Sequence, residues 1–156
     1  MGNVYHIADL HLGHNNILVF SEDYRMFDDI DEHDEWIVSQ WNSVVNRKDK
    51  VFVHGDVCMD IKKLPLFDRM KGNKTLIMGN HDNFKSEEYL KYFSRLEGLV
   101  KYKGTWLSHA PLHPEELRGC KNIHGHLHED TIKDTRYSCV SVEQNNGVPE
   151  RFSDLF

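Results

Sequence analysis

Thr75-Leu76-Ile77-Met78-Gly79-Asn80-His81-Asp82 is the stretch on which the reading of this chain turns. The run Leu76 to Met78 is short, apolar and stopped by a turn residue, which predicts a buried strand. Gly79 allows a sharp turn at the strand end. An amide, an imidazole and a carboxylate then follow without a spacer. A loop set on a rigid strand is where chemistry is usually carried. Alone, the stretch also reads as a polar turn with a chance histidine. Its weight comes from four others of the same kind.

Val4 to Ala8 predicts a first buried strand, which runs into Asp9-Leu10-His11-Leu12-Gly13-His14. In extended chain Asp9 and His11 are two apart and face the same side, so they can chelate one cation. Val51-Phe52-Val53 predicts another strand and leads into His54-Gly55-Asp56. Thr105 to Leu107 leads into Ser108-His109, and Ile123 into His124-Gly125-His126-Leu127-His128. Imidazole mixed with carboxylate and amide oxygen, and no cysteine, suits Mn²⁺, Fe or Zn²⁺ better than Ca²⁺ or a structural zinc. In α/β folds strand ends gather at one edge, and that edge hosts the site.

The length of 156 residues and a hydrophobic content of 39% fit one globular domain, residues 1–156, able to bury a core. No apolar run is long enough to span a membrane, and no charged-then-apolar leader opens the chain, so a cytoplasmic protein is expected. Cys58, Cys120 and Cys139 have no paired spacing, which favours free thiols. A net charge of −6 argues against long duplex nucleic acid as the main partner, because phosphate contacts need clustered Lys and Arg. A homo-oligomer is compatible with the sequence.

Between the strands, Asn15 to Phe20 predicts a short helix or turn. Asp29 with Glu32 resembles a capping box opening a helix to about Asn46, whose apolar stripe includes Trp36, Ile37 and Trp41. The acidic run Asp28 to Glu35 is thus a helix start, not a metal site. Met59 to Met70 predicts a helix interrupted at Pro65. Ser86 to Phe93 predicts a short helix, Leu99 to Lys103 a weak strand and Tyr137 to Val142 a final strand. The tail from Glu143 reads as polar, anchored by Phe152, Leu155 and Phe156.

Taken in order, Asp9-Leu10-His11, Gly55-Asp56, Gly79-Asn80-His81-Asp82, Ser108-His109 and Gly125-His126-Leu127-His128 resemble the five signature blocks of the calcineurin-like metallophosphoesterases. The resemblance spans residues 9 to 128. It implies an α/β fold, a four-layer αββα sandwich of two mixed β-sheets flanked by helices. It also implies a dinuclear centre of two divalent ions, Mn²⁺ first, with Fe, Zn²⁺, Ni²⁺ or Mg²⁺ as alternatives. Position by position it assigns Asp9, His11 and His128 to one ion, Asn80, His109 and His126 to the other, and Asp56 to both. His81 is implied as the general acid, with Asp82 orienting its imidazole. Two cations about 4 Å apart can polarise phosphoryl oxygens and generate hydroxide for in-line attack. A group shared by two cations must be anionic, which fits Asp at position 56.

The stretch Gly13 to Ile17 resembles a subgroup of small bacterial and phage members, in which His14 or Arg25 could touch phosphate. Cys58 is read as a small buried residue. His54 and His124 adjoin ligands and are candidates for supporting them. His6, His33 and His113 receive no role. The leading function is hydrolysis of small phosphomonoesters or phosphodiesters, nucleotides among them. A nuclease on short RNA or DNA ranks second, because it needs a basic track or stacking aromatics. A non-catalytic scaffold of the same fold ranks third, since no ligand is missing.

Overall fold

The computed structural model describes residues 1–156. β1 (Val4–Ile7), β2 (Lys50–Val53), β3 (Asn73–Ile77) and β4 (Arg95–Glu97) are parallel neighbours in one sheet. In the other, β5 (Val100–Tyr102) runs antiparallel to β6 (Thr105–Leu107), and β7 (Lys121–His124) and β8 (Tyr137–Cys139) continue parallel to β6. β9 (Glu150–Arg151) closes the first sheet antiparallel to β1, giving the orders β4-β3-β2-β1-β9 and β5-β6-β7-β8. Both sheets are therefore mixed.

Alternation along the strands decides which layer each side chain joins. Tyr5, Ile7, Val51, Val53 and Leu76 share one core with Ile37, Val38 and Trp41. Those three lie on α2 (Ile30–Val44), which packs on the outer face of the first sheet. Phe52 and Ile77 belong to a second core with Leu107 and Ile123 of the other sheet, joined by Ala8 and Val140. Strands buried on both faces read as unbroken apolar runs, as Val51–Val53 does, whereas His6 interrupts β1 and Lys74 and Thr75 precede the apolar end of β3. The fourth layer is thin. Over the outer face of the second sheet, Leu112 is held by Asn122 and the Tyr137 hydroxyl, and Leu117 is fully buried beside one 3₁₀ turn, Pro114–Glu116.

α2 begins where its cap predicts: the Asp29 carboxylate accepts from the Glu32 amide at 2.9 Å, and Asp31 and Glu32 occupy the first turn. It ends at Val44, short of Asn46, as Val45 turns extended. The expected helix around Pro65 is a 3₁₀ helix, Ile61–Arg69. Proline supplies no amide and its ring crowds the preceding turn, so a regular α-helix cannot run through it. α1 (Ile17–Phe20) buries Ile17 but leaves Val19 and Phe20 67% and 71% exposed. α3 is Ser86–Tyr89. The last predicted strand stops at Cys139, and the tail that reads as polar instead forms α4 (Val142–Asn145) and then β9. No helix is long and apolar enough to cross a membrane.

β1, β2, β3, β6 and β7 all point their C-terminal ends toward one edge of the sandwich. The side chains singled out above lie on the loops that leave those ends.

Candidate metal centre

The loops after β1 and β2 run together. The amides of Asp9, His11 and Leu12 donate to the carbonyls of Gly55, Asp56 and Val57 at 3.0–3.1 Å. Asp82 fastens the third loop to the second: its carboxylate accepts from the amides of Gly79, Asp56 and Val57 at 2.7, 2.8 and 3.0 Å. Asp82 therefore does not orient the His81 imidazole as the sequence led us to expect. Three backbone donors occupy its oxygens, and it shapes the loops that carry Asp56, Asn80 and His81. The glycines permit this contact. A Cβ at Gly55 would lie 2.5 Å from His109 Nδ1 and 2.7 Å from the Gly79 backbone.

Two clusters result. Ligand-type atoms of Asp9, His11 and His128 lie within 4.8 Å of one another, and so do those of Asp56, His109 and His126. Asn80 joins the second, its Oδ1 lying 2.8 Å from His109 Nε2. Asp56 Oδ2 stands between the two clusters, 3.4 Å from His109 Nε2 and 3.9 Å from His11 Nε2. Its other oxygen accepts from the His81 amide at 2.9 Å.

Three of the four cluster imidazoles are held at one nitrogen, while His126 Nδ1 meets His109 Nε2 at 3.2 Å. His109 Nδ1 donates to the His54 carbonyl at 2.6 Å, which turns its Nε2 toward Asn80 and Asp56, and His128 Nδ1 lies 3.1 Å from Glu143 Oε1, which leaves its Nε2 to face the first cluster. His11 Nδ1 pairs with His14 Nδ1 at 3.1 Å. A histidine held at one nitrogen and aimed with the other is the usual arrangement behind a metal ligand. Burial is the largest influence on Asp9 and raises it to about 6, against the opposing pull of His128 and Ser141. Burial also pushes Asp56 up, but hydrogen bonding and charge from His109 prevail and hold it at about 2. In turn His109 resists its own burial through Asp56 and Asp9 and rises to about 9.

Divalent cations fit these residues. Asp9 Oδ1 and His11 Nε2 are buried in the first cluster without any hydrogen-bond partner, which is costly unless something else satisfies them. Asp9 Oδ2, by contrast, accepts from Ser141 Oγ at 2.5 Å and the His126 amide at 2.9 Å. Asp9, His11, Asp56, His126 and His128 also hold left-handed backbone, with φ between 51° and 72°. Non-glycine residues adopt that region sparingly, and clusters of them accompany functional sites.

Of the two residues expected to touch substrate, His14 lines the cavity beside His11 and His81, whereas Arg25 is fully buried and does not reach it. Its guanidinium donates to Glu143 Oε1 at 2.8 Å and to the carbonyls of Leu10 and Asp9 at 2.9 and 2.5 Å. It also meets His33 Nε2 at 3.2 Å, and His33 Nδ1 pairs with Asp34 Oδ1 at 2.9 Å. Asp34 then accepts from the Gly13 amide. This chain of buried polar groups clamps the first loop. His54 supports His109 through its carbonyl, while its ring bonds the Ser108 carbonyl and His6. His124 turns its Nδ1 to the Gly125 carbonyl. Cys58 is buried, and burial raises its thiol to about 12.

The sequence model for calcineurin-like phosphoesterases matches residues 2–154. The chain belongs to that family. A gene 66 protein of Mycobacterium phage L5 is 36% identical over 87 residues, covering 53% of this chain and 41% of the phage protein. An uncharacterized protein of Methanocaldococcus jannaschii is 33% identical over 88 residues, covering 54% and 49% respectively. The chain thus spans less than half the length of these two curated relatives. Among solved structures, a protein of unknown function from Aquifex aeolicus superposes with a TM-score of 0.78 at 28% identity, covering 99% of this chain and 97% of that one. A Pseudomonas putida nuclease shares the fold at a TM-score of 0.56 and 16% identity, over 80% of this chain and 61% of its own. This member of the family also arranges its site with residues that carry no local signal in the sequence. Glu143, Ser141, His33 and Asp34 look like ordinary polar residues until the fold brings them together.

Proposed function

We propose that this phosphoesterase hydrolyses phosphomonoesters or phosphodiesters of small molecules with two divalent cations, Mn²⁺ first among them. The observation that carries the reading is the meeting of the two clusters at Asp56 Oδ2. Asp9, His11 and His128 would hold one cation, and Asn80, His109 and His126 the other, with the Asp56 carboxylate between them. Bound there, the cations would polarise phosphoryl oxygens and activate water.

The remaining work falls to the chain itself. The His54 carbonyl and Glu143 fix the tautomers of His109 and His128, so that each presents Nε2 to the site. His81 is exposed at the rim, its ring 6.1 Å from that of His11 and its amide anchored on Asp56. It is placed to give a proton to the leaving oxygen as the P–O bond breaks, the role of a general acid. His14, paired with His11 and open to the cavity, is placed to contact the phosphate.

The test is a panel of phosphomonoesters, phosphodiesters, cyclic nucleotides and short RNA and DNA, assayed with Mn²⁺ and with chelator. Hydrolysis of small esters that requires the cation is expected. Full activity in protein shown by elemental analysis to be metal-free would overturn the proposal, and cleavage of the oligonucleotides alone would make the chain a nuclease.

A further inference from the structure

A cavity of about 380 Å³ opens beside the first cluster, and His81 lines it together with His11 and His128. The rest of its wall is half apolar, Ile17 and Phe20 from α1 and Leu127 from the loop that carries His126 and His128, and half polar, His14, Ser21 and Glu129. We infer that this cavity holds the leaving alcohol of the substrate, and that the alcohol is a nucleoside whose base lies against Phe20. The inference rests on the phosphoesterase reading and names the substrate class for it.

Position comes first. In hydrolysis the oxygen of water bonds to phosphorus, the P–O bond to the alcohol breaks, and the freed oxygen takes one proton. If His81 supplies that proton, the alcohol must occupy the space that His81 faces, and that space is this cavity.

Shape and charge come next. Pockets of about 300–1,000 Å³ take ligands of metabolite to drug size, so a nucleoside fits. Phe20 is 71% exposed although it is large and apolar, and it stands on a four-residue helix that buries only Ile17. An exposed aromatic ring beside a phosphoester site offers a face on which a base can stack. No Lys or Arg lines the cavity, and Glu129 does. A leaving group carrying further phosphates would meet the Glu129 carboxylate with no Lys or Arg to offset it, so nucleoside polyphosphates are disfavoured as leaving groups. The same carboxylate can accept from a base amino group or a ribose hydroxyl.

The test compares esters that differ only in the alcohol, nucleoside against methanol, as monoesters and as methyl diesters. Wild-type protein with Mn²⁺ should prefer the nucleoside ester in kcat/KM, and Phe20→Ala should cut that preference about tenfold, within the range for losing one stacked base. Phe20→Leu, which keeps apolar area but loses the π face, should fall in between. Phe20 is exposed, so neither change threatens the fold. Calorimetry gives a readout apart from turnover: the free nucleoside, which has no ester to cleave, should bind more weakly to Phe20→Ala by a similar factor, and inorganic phosphate should not discriminate. Cleavage of both esters with a preference that Phe20→Ala leaves intact would overturn the pocket assignment and spare the phosphoesterase reading. Failure to cleave any ester would overturn both. Binding of a short single strand far tighter than any mononucleoside ester would make Phe20 part of a nucleic-acid track and likewise refute the inference.

Discussion

Arg25 offers the sharpest test of how the site is held together. Its side chain and that of Glu143 are both 0% exposed, and the pair ties the loop of Asp9 and Leu10, whose carbonyls Arg25 holds, to His128, which meets Glu143. Arg25→Met keeps most of the apolar stem but strips Glu143 of its cation and leaves the Asp9 and Leu10 carbonyls without donors. Breaking a buried pair by removing one partner costs about 3–5 kcal/mol. For a chain of this length each kcal/mol lowers Tm by about 3 °C, so a fall of about 9–15 °C is expected. Thermal unfolding followed by circular dichroism at pH 7, with and without Mn²⁺, measures it. Arg25→Lys keeps the charge but cannot reproduce the forked contacts, and it should fall between Met and wild type. A drop below about 3 °C for Arg25→Met, accompanied by a raised KM, would refute the clamp and return Arg25 to contact with phosphate; the threshold corresponds to about 1 kcal/mol.

Asp56→Asn should reduce bound metal below two ions per chain and cost more activity than Asp9→Asn; unchanged stoichiometry and affinity would show that Asp56 is not shared. His81→Asn should keep its metals and lose roughly a hundred-fold or more in kcat on a nucleotide ester. It should lose much less on a nitrophenyl ester, whose leaving group needs little help, and an equal loss on both would assign His81 to phosphate positioning. Burial works to raise Glu143, but the His128 hydrogen bond and the Arg25 charge overcome it and hold the carboxyl at about 2, below its ordinary 4.5. Its contribution to stability is therefore complete above about pH 4.5 and lost as pH falls toward 2. Chemical denaturation across that window should show a weaker acid dependence in Glu143→Gln, and an unaltered slope would exclude Glu143 as a source of the acid sensitivity.

The sheet cores and the positions of the ligand-type residues were legible because they obey local rules. Apolar runs such as Val51–Val53 end in Gly or a polar residue, and Asp29 marks a helix start wherever it is solvated. The pattern could not show which loops interlock. Asp82 follows His81 directly, so adjacency suggests a pair, yet three amides from two loops claim its carboxylate. Arg25 looks like a loop cation available to phosphate. Its burial depends on Glu143, 118 positions away, and no local window contains both. Pro65 was a readable obstacle to an α-helix, but the 3₁₀ helix that accommodates it reflects packing of Leu64 and Phe67 into the core.

The left-handed backbone at Asp9, His11, Asp56, His126 and His128 has a consequence for anyone who engineers this protein. At such positions glycine relieves strain that an L-residue must carry, so replacing the exposed His126, whose ring meets only His109, with glycine can make the metal-free chain harder to melt. A library screened only for heat resistance would then enrich for variants that have discarded this ligand. The hardiest survivors would be the least able to bind metal, and selection must retain a functional gate at every round.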